Sequence, residues 1–168
     1  TTAPRPRVAP KADPWKMSVE RFLAAEEGDL PGAEEAFLAA HENSWMPQPG
    51  LALLRLAQGD SVTAAAMIED AITHPFNIPS KERPPYGGLR RAPLLDAQVE
   101  IAVTTDDEAT ARSAADELSE IASTFDSLAL RASADLAQGR VALAWGDPHL
   151  AVTRCATAVD TWVDVGAP

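Results

Sequence analysis

The side chains that could do chemistry here are three histidines, one cysteine, several adjacent carboxylates, and a group of aromatic and cationic residues beside two proline-rich stretches. His41, His74 and His149 share no metal-ligand spacing, and no histidine or cysteine lies one helical turn from the His41-Glu42 pair. Zinc and metal-assisted acid–base work are therefore not expected. Cys155 needs a base to act as a nucleophile; spacing brings no histidine to it, and spatial proximity to His149 is left open. A small buried hydrophobe is its expected role. Asp106-Asp107-Glu108 and Asp116-Glu117 resemble paired carboxylates, but acids at solvated helix starts account for them. Ser44-Trp45-Met46-Pro47-Gln48-Pro49 and the loop carrying Tyr86, Arg90 and Arg91 are more informative. Trp45 and Tyr86 offer amphipathic rings, while Gln48, Arg90 and Arg91 offer directional donors for a carboxylate, a phosphate or a peptide end. These five form the candidate effector site. The competing expectation is that the rings pack a joint between repeats while the arginines are solvated or neutralise nearby acids. No cofactor is expected, because no glycine-rich phosphate-cradling loop with lysine is present.

The elements that must position these residues are helices. The 168 residues are 46% hydrophobic but only 5% aromatic, with 33 alanines, so the core is built from small side chains. Apolar residues recur three and four apart from Pro14 onward, with no alternating run of β-branched residues. Residues 1–14, with four prolines, read as a flexible arm outside the fold. His74 to Gly88, again with four prolines and ending in two glycines, reads as a long loop.

An internal repeat organises the remainder. Four short turns, Gly28-Asp29, Gly59-Asp60, Asp106-Asp107 and Gly146-Asp147, each separate two helical patterns. Five residues after the first member of each comes alanine: Ala33, Ala64, Ala111 and Ala151. Nine after it come Phe37, Ile68, Ala115 and Cys155, and twelve after it Ala40, Ala71, Leu118 and Ala158. Five before it lie Leu23, Leu54, Ile101 and Val141, and three before it Ala25, Leu56, Val103 and Leu143. These offsets share one face of each helix. Glycine accepts the left-handed conformation that stops a helix, and aspartate caps the next, so each turn should close a helical hairpin. Asp106 stands where the other turns have glycine. Alanine at the facing position lets two helix axes approach to roughly 8–10 Å. A lone hairpin cannot bury its apolar face, so the hairpins should stack. The fold expected is all-α: an α-α superhelix of about four stacked hairpins of irregular length, spanning residues 15–168, with longer helices near Glu108–Phe125 and Leu128–Trp145.

The glycine and alanine offsets resemble the second half of tetratricopeptide repeats. More specifically, GDLPGAEEAFLAAHENSWMPQPGLALLRLAQGD, then APLLDAQVEIAVTTDDEATARSAADELSEIA, then ALAWGDPHLAVTRCATAVDTWVDVGAP, resemble the helical-repeat region of large bacterial LuxR-type transcriptional regulators, over about residues 28–168. The resemblance implies a sensing or coupling domain whose DNA-binding helix-turn-helix lies outside this chain, between an upstream effector or ATPase region and that C-terminal module. It implies no specific ligand.

Charge narrows the partners. Fourteen lysines and arginines against 25 acids leave a formal charge of −11, which opposes contact with nucleic acid or an anionic membrane. One cysteine and no apolar run of membrane length fit a reducing, cytoplasmic setting. A freestanding adaptor that takes a peptide or protein partner into a concave surface is the alternative to the regulator domain. An enzyme, the third class, finds no nucleophile, metal cluster or cofactor loop to support it. Finally, the last helix, from Leu150 to Val165, bears Val152, Val159, Trp162 and Val163 beyond the repeat alanines. Its far side should be sticky, covered by a further repeat of the parent chain or by a second copy in a homodimer.

Overall fold

The computed structural model describes residues 29–42, 47–75 and 87–166. Seven α-helices, and no strand, occur among them: α1 Leu30–Glu42, α2 Gly50–Ala57, α3 Ser61–Thr73, α4 Gly87–Thr104, α5 Glu108–Phe125, α6 Leu128–Ala144 and α7 Pro148–Asp164. The all-α expectation is met. The chain divides into two compact units, residues 1–47 and 48–168. Of the first, α1 is the described element; the expected arm at 1–14 and the turn at Gly28 lie outside the described residues.

In the second unit, α2–α3, α4–α5 and α6–α7 pair as hairpins, and the first helices of successive hairpins also touch, α2 with α4 and α4 with α6. The turn chemistry explains why the chain doubles back at these places. Gly59 (φ 84°), Asp106 (φ 58°) and Gly146 (φ 88°) all adopt the left-handed conformation. Behind each, the next residue's N–H reaches five residues back: Asp60 to the Arg55 carbonyl at 2.9 Å, Asp107 to Ala102 at 2.9 Å and Asp147 to Ala142 at 2.8 Å. This is the Schellman termination. The same aspartates then cap the following helix, accepting from the N–H three residues on: Thr63 at 3.1 Å, Thr110 at 3.1 Å and Leu150 at 2.9 Å. Asp29 does likewise with Gly32 at 3.1 Å, at the start of α1. Hydrogen bonds to the Thr63 side chain and N–H hold Asp60 below the usual carboxylate pKa, and bonds to Thr110, its N–H first, do so for Asp107. These caps are therefore intact at neutral pH and are lost as pH falls through the depressed values.

The repeat alanines occupy equivalent seats: Ala33, Ala64 and Ala111 are 0% exposed and Ala151 4%. Leu54, Ile101 and Val141, five before the turns, are buried as well. Two apolar clusters result. One joins α2, α3 and α4 around Ala64, Ile68 and Ile101; the other joins α4, α5 and α6 around Val99, Ala111 and Leu118. The longer third and fourth hairpins follow the expected helices closely. Gly87 and Gly88, expected in the long loop, instead form the first turn of α4. At Gly88 a Cβ would lie 3.3 Å from the Phe125 ring, a tight contact that the ring would relieve only by shifting a few tenths of an ångström.

Asp106 is the one non-glycine residue among these three hairpin turns and holds its left-handed backbone at a steric cost. Asp106→Gly should stabilise the chain by about 0.5–1 kcal/mol, read as a higher urea midpoint at unchanged slope. A lower midpoint would show that the aspartate side chain contributes more than its backbone costs.

Candidate functional site

Trp45 and Tyr86 of the expected effector site lie outside the described residues. Gln48 caps the start of α2, its Oε1 accepting the Ala52 N–H at 3.1 Å. Arg91, in the second turn of α4, is a strut. Its Nε and Nη2 grip the Glu117 carboxylate of α5 at 2.6 and 2.9 Å, while Nη1 donates to the Ile72 carbonyl of α3 at 3.1 Å. One guanidinium thus joins three helices and satisfies a carbonyl at the C-terminal end of α3, where a cation also suits the helix dipole. The bond to Glu117 raises the Arg91 pKa further. Arg90, beside it, is half-buried. Of the two options weighed for the arginines, Arg91 realises the pairing with a nearby acid.

Further polar ties cross the hairpins. Arg140 of α6 meets Asp96 at 3.2 Å and Glu100 at 3.5 Å on α4. Burial pushes the Asp96 carboxyl above its ordinary pKa, against the downward pull of Arg140. Gln138 donates to Asp116 at 3.0 Å and to Ser119 at 3.4 Å. Glu108 pairs with Arg112 one turn on, and Asp107 is the α5 cap, so the acidic run at 106–108 is turn and helix-start chemistry.

A cleft of about 350 Å³ opens where the second hairpin meets the third. Ile68 and Ala65 of α3 and Ile101 and Ala102 of α4 form its apolar floor. Glu69, Gln98 and Asp107 supply polar groups around it, with Thr105 and Thr110. Carboxylates above an apolar floor suit a cationic group on a short aliphatic stem. None of these polar residues was singled out as a ligand contact by sequence reasoning. The available signal was the repeat itself, since Glu69 sits one turn beyond Ala65, on the side of α3 that faces α4.

The two histidines with described side chains, His74 and His149, share no site. His74 lies 3.1 Å from Asp70 on the surface, His149 is exposed, and the side chain of His41 falls outside the description. No group of three or more His, Cys, Asp or Glu is placed to hold a metal among the described residues. Cys155 is half-buried, packed where Gly139 of α6 brings the two helices close. On α7, Val152, Val159 and Val163 are 70, 60 and 68% exposed, and Trp162 is half-buried. No described helix is long and apolar enough to cross a membrane. The chain matches no family model, no curated protein and no solved structure.

Proposed function

We propose that this chain is a signal-coupling, protein-interaction domain of a LuxR-type transcriptional regulator of the bacterial cytoplasm, with the DNA-binding module outside the chain. It acts by binding rather than catalysis. The observation that supports this reading is the cleft between hairpins, because its walls come from α3 on one side and from α4 and α5 on the other. A ligand held there touches two hairpins at once, and any difference in its contacts between two inter-hairpin angles biases their equilibrium. Arg91 bridges the same three helices, so the joint has a fixed resting geometry from which a shift can be transmitted. The sequence likeness supplies the regulatory context.

The test is made in the parent protein. Its reading frame is expected to continue past Pro168 into a basic helix-turn-helix, and Glu69→Lys with Gln98→Ala should reduce effector-dependent transcription at least about tenfold at normal protein levels. An unchanged response, or a parent without a DNA-binding module, overturns the proposal.

The acidic cleft and the charge of −11 favour one second reading, a freestanding tetratricopeptide-like adaptor for a basic peptide or protein segment. Direct, salt-sensitive binding of a lysine- and arginine-rich peptide, abolished by Glu69→Lys, identifies that case.

A further inference from the structure

The geometry points to a ligand class for the cleft between the second and third hairpins: a linear aliphatic diamine, with one ammonium group at Glu69 of α3, the other at Asp107 before α5, and its methylenes laid on Ile68, Ile101 and Ala102. The inference rests on the reading of this cleft as the ligand site of a coupling domain. Its volume of about 350 Å³ lies near the small end of ligand sites, which suits a small molecule.

The hydrogen-bonding side chains around the cleft are nearly all acceptors. Thr105 spends its hydroxyl hydrogen on the Ile101 carbonyl at 3.0 Å, with the Ala102 carbonyl at 3.2 Å, which leaves its oxygen able only to accept. Thr110 gives both its N–H, at 3.1 Å, and its hydroxyl hydrogen to Asp107. Those bonds hold the Asp107 carboxylate below its ordinary pKa, so it is ionised at neutral pH. Asp107 also occupies the α5 N-terminus, where an anion would otherwise settle. The Glu69 carboxylate and the Gln98 amide have no side-chain partner among the described residues. No lysine or arginine lines the cleft among those residues, so the Gln98 amide is its one side-chain donor.

An ammonium group is the complement of such a wall, because it brings three donors and no acceptor. A carboxylate, a phosphate or a zwitterion would set acceptors against acceptors and meet two carboxylates with no cation to offset them. The acceptors come from α3, α4 and the start of α5 rather than from one carboxylate. That spread suits the tetrahedral donors of an ammonium better than the planar fork of a guanidinium. Two carboxylates on separate elements call for two ammonium groups, and the apolar floor calls for a stem that hydrogen-bonds nothing. The charge of −11 adds a general attraction for a dication.

Isothermal titration calorimetry of this chain with linear diamines of about three to eight carbons, at about 50 mM salt and neutral pH, tests the assignment. One diamine should bind per chain with Kd on the order of 0.1 mM, at least about tenfold tighter than the monoamine of the same length. Each methylene added up to the best-fitting length should tighten binding by up to about fourfold. Glu69→Gln and Asp107→Asn should each weaken binding at least about fivefold; asparagine still caps α5, so the helix is kept. Glu120→Gln, which removes an exposed carboxylate of α5 outside the cleft, should leave binding within about twofold. No saturable binding by about 10 mM, a loss with Glu120→Gln equal to that with Glu69→Gln, or uptake of a lysine-rich peptide but of no free diamine overturns the assignment. The regulatory reading fails separately. Diamine binding in a parent protein whose transcription ignores it keeps the ligand and discards the regulator, while a response silenced by Glu69→Lys with Gln98→Ala in a chain that binds no diamine does the reverse.

Discussion

Ala111→Leu is expected to destabilise the chain by about 3 kcal/mol, whereas Ala109→Leu, two residues earlier on the exposed side of α5, should change it by less than about 0.5 kcal/mol. Ala111 is fully buried in the cluster shared by α4, α5 and α6, with Ala102, Ala115 and Val141 in the same core. Leucine adds three carbons at a place where the first helix of the hairpin is already in contact. Most of that cluster is alanine, with little side chain to yield the space, so relief comes mainly from a shift of the helix axes. That shift would pull on the Asp107 cap and on the Gln138 bonds to Asp116 and Ser119. Urea unfolding followed by circular dichroism measures the effect; for a chain of this length it corresponds to a fall in Tm of roughly 6–12 °C. Ala64→Leu and Ala151→Leu should share its sign, because their seats are equivalent. Tolerance of leucine at Ala111 would mean that the recurring alanine is not what sets the helix spacing.

The turns and the alanine seats were legible in the sequence because their causes are local. A left-handed residue, an aspartate after it and an amide three residues on are all fixed within five consecutive positions. Even Asp106 follows the rule of the glycines, since aspartate is among the few other residues that visit that region. The helix bounds at 108–125 and from 128 onward followed from the same signals. Arg91 is the contrasting case. Its partners lie 19 and 26 residues away, and with 25 acids in the chain, nothing local tells which carboxylate it will meet. Its position beside a proline-rich loop drew attention to it as a ligand donor, while packing makes it a strut. The cap that the Gln48 oxygen gives α2 was not legible either, because it stands in for Pro49, the residue before the helix, which makes no side-chain cap of its own. The cleft was not legible for another reason: its floor residues, Ile68 and Ile101, are ordinary core positions in the repeat. Only the meeting of three helices leaves space above them. The exposed valines of α7 could be anticipated because the repeat assigns an inner face to the alanines and leaves the excess apolar residues without one.

Gly139→Val is expected to cost about 3 kcal/mol and to act mainly on the last hairpin. Glycine in the interior of α6 is itself unfavourable by about 1 kcal/mol relative to alanine, so its presence needs a tertiary cause. The cause is the approach of α7: a Cβ at position 139 would stand 2.7 Å from the Cys155 Sγ and 3.4 Å from both the Ala151 carbonyl oxygen and the Arg154 Cβ. The thiol has one rotatable bond and is already half-buried, while the carbonyl belongs to the α7 backbone and cannot turn aside. Valine's branches enlarge the clash, and the helices must separate. Separation also lengthens the Arg154 to Asp135 contact, now 2.7 Å. Cys155→Ala removes the nearest atom, so in the same chain it should restore about 1 kcal/mol, leaving the backbone contact unrelieved. A double-mutant cycle on unfolding free energies reads this coupling directly. Gly139→Ala gives the sharper counter-test: if helix propensity alone governed the position, it would stabilise the chain by about 1 kcal/mol, and close packing instead requires a loss.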